Sequence, residues 1–180
     1  MSNQPASAAS AGDLAGRARL NGLPAEAARQ ALMACCSSQS WAEAVASGRP
    51  YESAASLLRR SDEAVAGLTP GDLSDALSGH PRIGERRGGD GEGSWSRAEQ
   101  AGLDGAAELT LRALADGNVA YEQRFGHIYL ACATGRDAAS LLAFLRSRLG
   151  NDRETEWGVV ASELAKINQI RLRKLLDGGS

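Results

Sequence analysis

Thr155 to Leu176 reads TEWGVVASELAKINQIRLRKLL. Within it Trp157, Val160, Leu164, Ile167 and Leu175 follow at steps of three, four, three and eight, the spacing that stacks side chains on one face of an α-helix. The stretch predicts a long terminal helix running to Leu176. At about 100° per residue, Arg171 projects near the middle of that apolar face. A solvated arginine has no reason to sit there, so a buried task is expected of it.

Upstream, the chain punctuates itself in the same language. Leu141, Leu142, Leu145 and Leu149 recur at helical spacing between Asp137, a predicted N-cap, and Gly150, a predicted C-terminal cap. Thr69-Pro70 reads as an N-cap followed by proline at the first helical position, Ser40 with Glu43 as a capping box, and Pro24 as part of a first helical turn. Strand signals are weak: aromatic residues make up 4% of the chain, and no sustained alternation of polar and apolar residues is found. The fold class expected is all-α, a single compact multi-helix domain.

With 180 residues, 43% of them hydrophobic, the chain holds one core and is too short for two of ordinary size. Residues 1–12, small and polar, predict a disordered leader ahead of a domain at 13–180, with packing from about Leu20. The 20 basic and 22 acidic residues are scattered, giving a net charge of -2 and no basic face for nucleic acid. No apolar run approaches the ~18 residues of a membrane span, and the N-terminus lacks the features of a secretory signal. The expectation is a soluble, intracellular protein with no membrane partner. Cys35, Cys36 and Cys132 are odd in number and two are adjacent, a poor disulfide framework that reads as packing. Gly84 to Gly93, GERRGGDGEG, has the glycine of a phosphate loop without its Gly-Lys-Ser/Thr ending and reads as a mobile surface loop.

Two histidines narrow the search for acid/base chemistry at neutral pH. His80 follows Gly79, a helix stop, and precedes Pro81, which bars the helix from continuing. That sets an imidazole on a fixed corner, although a plain turn explains the same residues. His127 lies in Phe125-Gly126-His127-Ile128-Tyr129, which reads first as packing, and Asn118, Tyr121 and Phe125 share a helical face as core and support. Ser96 and Glu99 have the spacing of a capping box; equally, Glu99 and Gln100 at a helix start could present a carboxylate and an amide to a small polar ligand. The histidines lie 47 positions apart without a zinc pattern, so no metal is expected. Neither a Gly-x-Gly-x-x-Gly fingerprint nor a Gly-x-Ser-x-Gly elbow is present, which removes support for nicotinamide chemistry and the common serine hydrolase layout.

Taken in order, these segments resemble the 2-oxo-4-hydroxy-4-carboxy-5-ureidoimidazoline (OHCU) decarboxylase family. The residues are Cys35-Cys36-Ser37 leading to Trp41 and Arg49-Pro50-Tyr51; His80-Pro81-Arg82-Ile83-Gly84; and Ser96-Arg97-Ala98-Glu99-Gln100 with Gly102-Leu103. Asn118, Tyr121-Glu122, Phe125 to Ile128, Ala131 to Arg136, Arg148-Leu149 and Ile167 to Leu172 complete it. The likeness runs from about residue 20 to 176.

The resemblance implies a helical fold peculiar to the family, usually a homodimer, and a cofactor-independent carboxy-lyase. The reaction it implies takes CO2 from the ureidoimidazoline acid formed in urate degradation and leaves (S)-allantoin. By the same resemblance His80 is the catalytic acid/base and Glu99 its carboxylate partner. Pro81, Ser96, Gln100, Arg171 and the backbone of Tyr129, Leu130, Ala131, Cys132 and Ala133 contact the substrate. Loss of CO2 leaves negative charge delocalised over the ring, so the site must stabilise it and deliver a proton to one face. The C-terminus carries no Ser-Lys-Leu address, which predicts a cytoplasmic location. Two rival readings remain at this level: a hydrolase of a related ureido compound, and a non-catalytic helical interaction module in which His80 is a turn residue and Ser96/Glu99 only a cap.

Overall fold

The computed structural model describes residues 11–83 and 108–178. Among these are eight helices and no strand: α1 (Ala11–Gly22), α2 (Ala25–Met33), α3 (Gln39–Ser47), α4 (Ala54–Ala66), α5 (Pro70–Ser78), α6 (Glu108–Phe125), α7 (Ala138–Arg148) and α8 (Arg153–Leu176). The all-α expectation is met. Helix already begins at Ala11, ahead of the packing expected from Leu20, while residues 1–10 and the whole glycine-rich stretch after Ile83 lie outside the described residues.

Short polar side chains start most of the helices, by accepting backbone N–H groups that have no partner within the helix. Asp137 accepts from Ser140 N at 2.7 Å and Asp152 from Thr155 N at 2.8 Å. Thr69 and Asp72 form a reciprocal box at the start of α5, with Pro70 at the first helical position as its fixed φ favours. The Ser40/Glu43 box is corrected. Ser38 caps α3, accepting from Trp41 N at 3.3 Å, while Ser40 Oγ donates to Asp72 at 2.5 Å and Glu43 accepts from Gln39 at 2.7 Å. Both serines are able N-caps, and the earlier one takes the cap although Trp41, not an acid, stands three residues on.

Helix α8 is the spine, lying against α1, α4 and α5, with α2 and α3 layered outside α4. Its buried residues are Glu156, Val160, Glu163, Leu164, Ile167, Asn168, Arg171, Leu172 and Leu176. The stripe is therefore turned from the one read in the sequence: Trp157 and Leu175 sit at its half-buried margin, and four polar side chains lie inside it. Gly16 on α1 permits the close crossing at the far end of α8, because a Cβ there would fall 1.8 Å from the backbone oxygen of Leu176. Arg49 ties down the end of α1 and the turn after it, its Nη1 donating to Leu20 O at 2.8 Å and Leu23 O at 2.7 Å.

Helices α6 and α7 form a second layer with its own apolar cluster. The seam between the two clusters is the extended stretch after Gly126. Leu130 and Cys132 belong to the main core, whereas Tyr129, Ala131 and Ala133 belong to the α6/α7 core. This is the alternation of an extended chain buried on both faces. Cys35, Cys36 and Cys132 are buried and none is in a disulfide, as packing residues should be. No helix among the described residues is long and apolar enough to cross a membrane.

Candidate functional site

The corner after α5 is built from the bottom up. Gly79 closes the helix in the right-handed region (φ -81°, ψ -2°), His80 N donates to Leu77 O at 3.0 Å, and Pro81 prevents another turn. The next two residues are clamped to α6. Arg82 makes a two-pronged contact with Glu122, Nε to Oε1 at 2.5 Å and Nη2 to Oε2 at 2.9 Å, and Asn118 Nδ2 donates to Ile83 O at 2.9 Å. Pro81 is half-buried between these anchors. A cavity of about 380 Å³ opens beside the clamp, lined among the described residues by Arg82, Ile83, Leu111, Asn118, Val119 and Glu122. Neither His80 nor Arg171 is part of that lining.

His80 is 6% exposed and faces Arg171, which is 3% exposed although it lies 91 positions away in sequence. Arg171 Nη1 stands 3.5 Å from His80 Nε2, and Nη2 stands 3.5 Å from Nδ1. A neutral imidazole offers one acceptor nitrogen, so two such contacts cannot both be directed hydrogen bonds; the guanidinium is laid across the ring. Nη1 also donates to Cys35 O at 2.9 Å, which fixes the fork against the end of α2. Burial, and then the neighbouring guanidinium, push His80 down to about 3, so the ring is neutral at neutral pH. The same cation lies near the buried Cys35 thiol, but burial dominates there and pushes the thiol up to about 12, which makes it an inert packing group.

The segment Tyr129 to Ala133 is buried throughout. Extended backbone at that depth needs hydrogen-bond partners from outside itself. Arg148 Nη1 donates to Leu130 O at 2.5 Å, Cys132 N donates to Glu163 Oε2 at 2.9 Å, and Arg136 N donates to Ala133 O at 3.0 Å. Tyr129 Oη reaches Leu141 O at 3.1 Å.

Each ionic anchor is itself secured. Arg148 Nε donates to Glu156 Oε1 at 2.8 Å, Tyr121 Oη donates to the same oxygen, and Asn151 Nδ2 holds Oε2 at 2.8 Å. Glu163 is flanked by Lys166 at 2.5 Å and Arg136 at 3.5 Å. Burial opposes the Arg148 charge, but the Glu156 carboxylate outweighs it and holds the guanidinium above its ordinary value.

The structure thus brings His80 and Arg171 together near the C-terminal end of α8, with Pro81 beside His80 in the chain, and holds Tyr129, Leu130, Ala131, Cys132 and Ala133 as a buried strip tied to α8 through Glu163. Ser96, Glu99 and Gln100 lie outside the described residues. His127 packs as expected, its ring 4.2 Å from that of Trp157, and burial lowers its pKa. Asn118, Tyr121 and Phe125 are buried, although Tyr121 also serves the Arg148 network. The sequence reading missed Glu156 and Glu163. Their only signal is position, since acidic residues falling on the inward side of a helix are seldom buried without a partner.

Comparison with known proteins matches residues 21–173 to the OHCU decarboxylase family. Over 147 residues the chain is 30% identical to the uric acid degradation bifunctional protein TTL of Arabidopsis thaliana, covering 79% of this chain and 45% of that protein. The chain thus spans less than half of that relative's length. Over 142 residues it is 30% identical to the 2-oxo-4-hydroxy-4-carboxy-5-ureidoimidazoline decarboxylase of Amia calva, covering 76% of this chain and 79% of that one. A crystal structure of OHCU decarboxylase in the presence of (S)-allantoin superposes with a TM-score of 0.69 at 27% identity, over 80% of this chain and 95% of that one. A crystal structure of (S)-allantoin synthase gives a TM-score of 0.67 at 18% identity, over 88% of this chain and 53% of that one, a likeness of fold alone.

Proposed function

The chain belongs to the OHCU decarboxylase family, whose chemistry is that of a carboxy-lyase, and we propose that it converts 2-oxo-4-hydroxy-4-carboxy-5-ureidoimidazoline to (S)-allantoin and CO2 with His80 carrying the proton. The observation that supports this reading most is the buried His80/Arg171 pair: an acid/base group and a cation face each other where almost no water reaches.

The chemistry follows from that pairing. When the carbon–carbon bond to the carboxylate breaks, its electron pair stays on the ring, and CO2 leaves. A proton must then reach the ring carbon on one face. His80 is neutral, held at about 3 by burial and Arg171. An anionic substrate placed against both groups reverses that balance, because a negative charge within about 4–6 Å favours the imidazolium. Glu99, carried over from the family resemblance, would act in the same direction. His80 therefore takes up a proton as substrate binds and delivers it after CO2 departs. Such acid/base transfer contributes on the order of 10²- to 10⁴-fold, with Arg171 stabilising the developing charge. Pro81, Ser96, Gln100 and the backbone of Tyr129 to Ala133 would hold the ring; no cofactor enters the scheme.

We place the enzyme in the cytoplasm as a homodimer. Three buried cysteines outside any disulfide fit a reducing compartment, and the dimer is carried by the family resemblance. Analytical ultracentrifugation of the purified chain tests the dimer, and a monomer would refute it.

To test the reaction, the labile acid is generated in situ from urate with the two preceding enzymes, and its decay is followed together with CO2 release. The expected result is decay faster than the spontaneous rate, with one CO2 released for each allantoin formed. Decay at the spontaneous rate would refute the assignment.

A further inference from the structure

Asn168 lies one turn before Arg171 on α8 and is fully buried, at 0% exposure. Among the described residues, neither its amide nitrogen nor its carbonyl oxygen has a hydrogen-bond partner. Other orphan polar atoms occur among the described residues, but Asn168 is the one side chain with two of them. Asn118, by contrast, leaves Oδ1 unused while its Nδ2 holds Ile83. Leaving a buried donor or acceptor unsatisfied costs about 1–3 kcal/mol per group, and native structures seldom tolerate it without cause.

The neighbourhood supplies a cause. Residues three apart on a helix lie about 60° apart around the axis and about 4.5 Å along it, so Asn168 and Arg171 share a face. Helical side chains lean toward the N-terminus of their helix, so the stem of Arg171 leaves α8 toward the turn that holds Asn168. The guanidinium in turn covers His80. Glu163 and Lys166, on the preceding turn, satisfy each other at 2.5 Å and make no bond to the amide. An unpaired donor and acceptor on one planar group match a partner carrying both, such as the N–H and C=O of an amide or urea edge.

We propose that Asn168 is a further substrate-binding residue, whose carboxamide pairs with an N–H/C=O edge of the molecule that His80 and Arg171 hold. This rests on the reading of His80 and Arg171 as the substrate site. Arg171 addresses the anionic group of the ligand, and Asn168 selects for its amide or urea character. The division explains how one helix turn can reject a carboxylate that lacks such an edge.

The test is Asn168→Leu, a swap of similar size into a setting shared with Leu164, Ile167 and Leu172, with Asn168→Ala alongside it. Thermal midpoint, KM and kcat are measured on in-situ substrate, and the rise in midpoint on adding (S)-allantoin is measured separately. Removing an unsatisfied amide should leave the Asn168→Leu midpoint at or above that of wild type. KM should rise by about tenfold or more while kcat changes less, as expected for a lost hydrogen-bonded pair. The protection given by (S)-allantoin should shrink in both variants. Both variants keeping wild-type KM and wild-type protection overturns the inference. So does a lowered midpoint in both with activity per folded molecule unchanged, which assigns Asn168 to packing. A wild type that neither accelerates decay nor is protected by (S)-allantoin refutes the decarboxylase reading itself, an outcome separable from the other two.

Discussion

The guanidinium of Arg171 lies across the imidazole of His80, with Nη1 and Nη2 each 3.5 Å from a ring nitrogen and Nη1 also bonded to Cys35 O. One planar fork thus spans a backbone carbonyl and an aromatic ring. A lysine ammonium is a point charge on a flexible stem and cannot do both. Arg171→Lys should therefore keep the fold but lower kcat/KM on the order of 10²-fold, the size of one lost preorganised donor. Steady-state kinetics against thermal midpoint checks it; near-normal kcat/KM would show that charge alone suffices.

His80 should make the protein acid-sensitive. Its ordinary value of 6.5 is lowered to about 3 in the folded site. As pH falls below 6.5 the unfolded chain takes the proton and the native chain does not, so the stabilisation is complete above that value and is lost progressively toward pH 3. His127, also lowered, adds a slope of the same sign. Denaturant melts of Asn- or Gln-substituted His80 across this window should show a shallower loss of stability than wild type. An equal slope would mean that His80 is not buried as a neutral ring.

The Arg148–Glu156 pair supports the buried strip at Leu130. Removing one partner strands the other in the core, so Arg148→Met and Glu156→Leu should each cost about 3–5 kcal/mol. The double variant should cost less than their sum, because neither charge is then left alone. Urea unfolding of the four proteins gives the coupling energy; additive losses would remove the pair from this account.

Much of this architecture is legible in the chain, and its limits have physical reasons. The caps at Thr69 and Asp137 leave local signatures, because their partners are three residues away. Arg171 is visible as a cation out of place on an apolar stripe. The strip from Tyr129 to Ala133 is reached only through the family resemblance, since it is buried on both faces and so shows no contrast between polar and apolar positions, although its side chains alternate between two cores. Glu156 and Glu163 stay hidden because their partners, Arg148 and the backbone of Cys132, come from elsewhere in the fold. The corner at His80 reads equally well as a turn until Arg171 is seen against it. Ser96, Glu99 and Gln100 rest on the family resemblance.

Gly16 tests the packing of α1 on α8. In a free helix, replacing glycine by alanine is stabilising. Here the added Cβ would meet the backbone oxygen of Leu176 at 1.8 Å, an atom that cannot swing aside. Gly16→Ala should therefore destabilise by at least about 1–3 kcal/mol, the usual cost of overpacking. A raised thermal midpoint would show that α1 does not dock as described.

The most direct test of the central claim is the optical activity of the allantoin formed from in-situ substrate, followed by circular dichroism with wild type and with a folded His80→Ala variant. The account predicts rapid appearance of a single enantiomer with wild type, and only slow, racemic product with the variant. A variant that still yields one enantiomer at the wild-type rate would take the proton transfer away from His80.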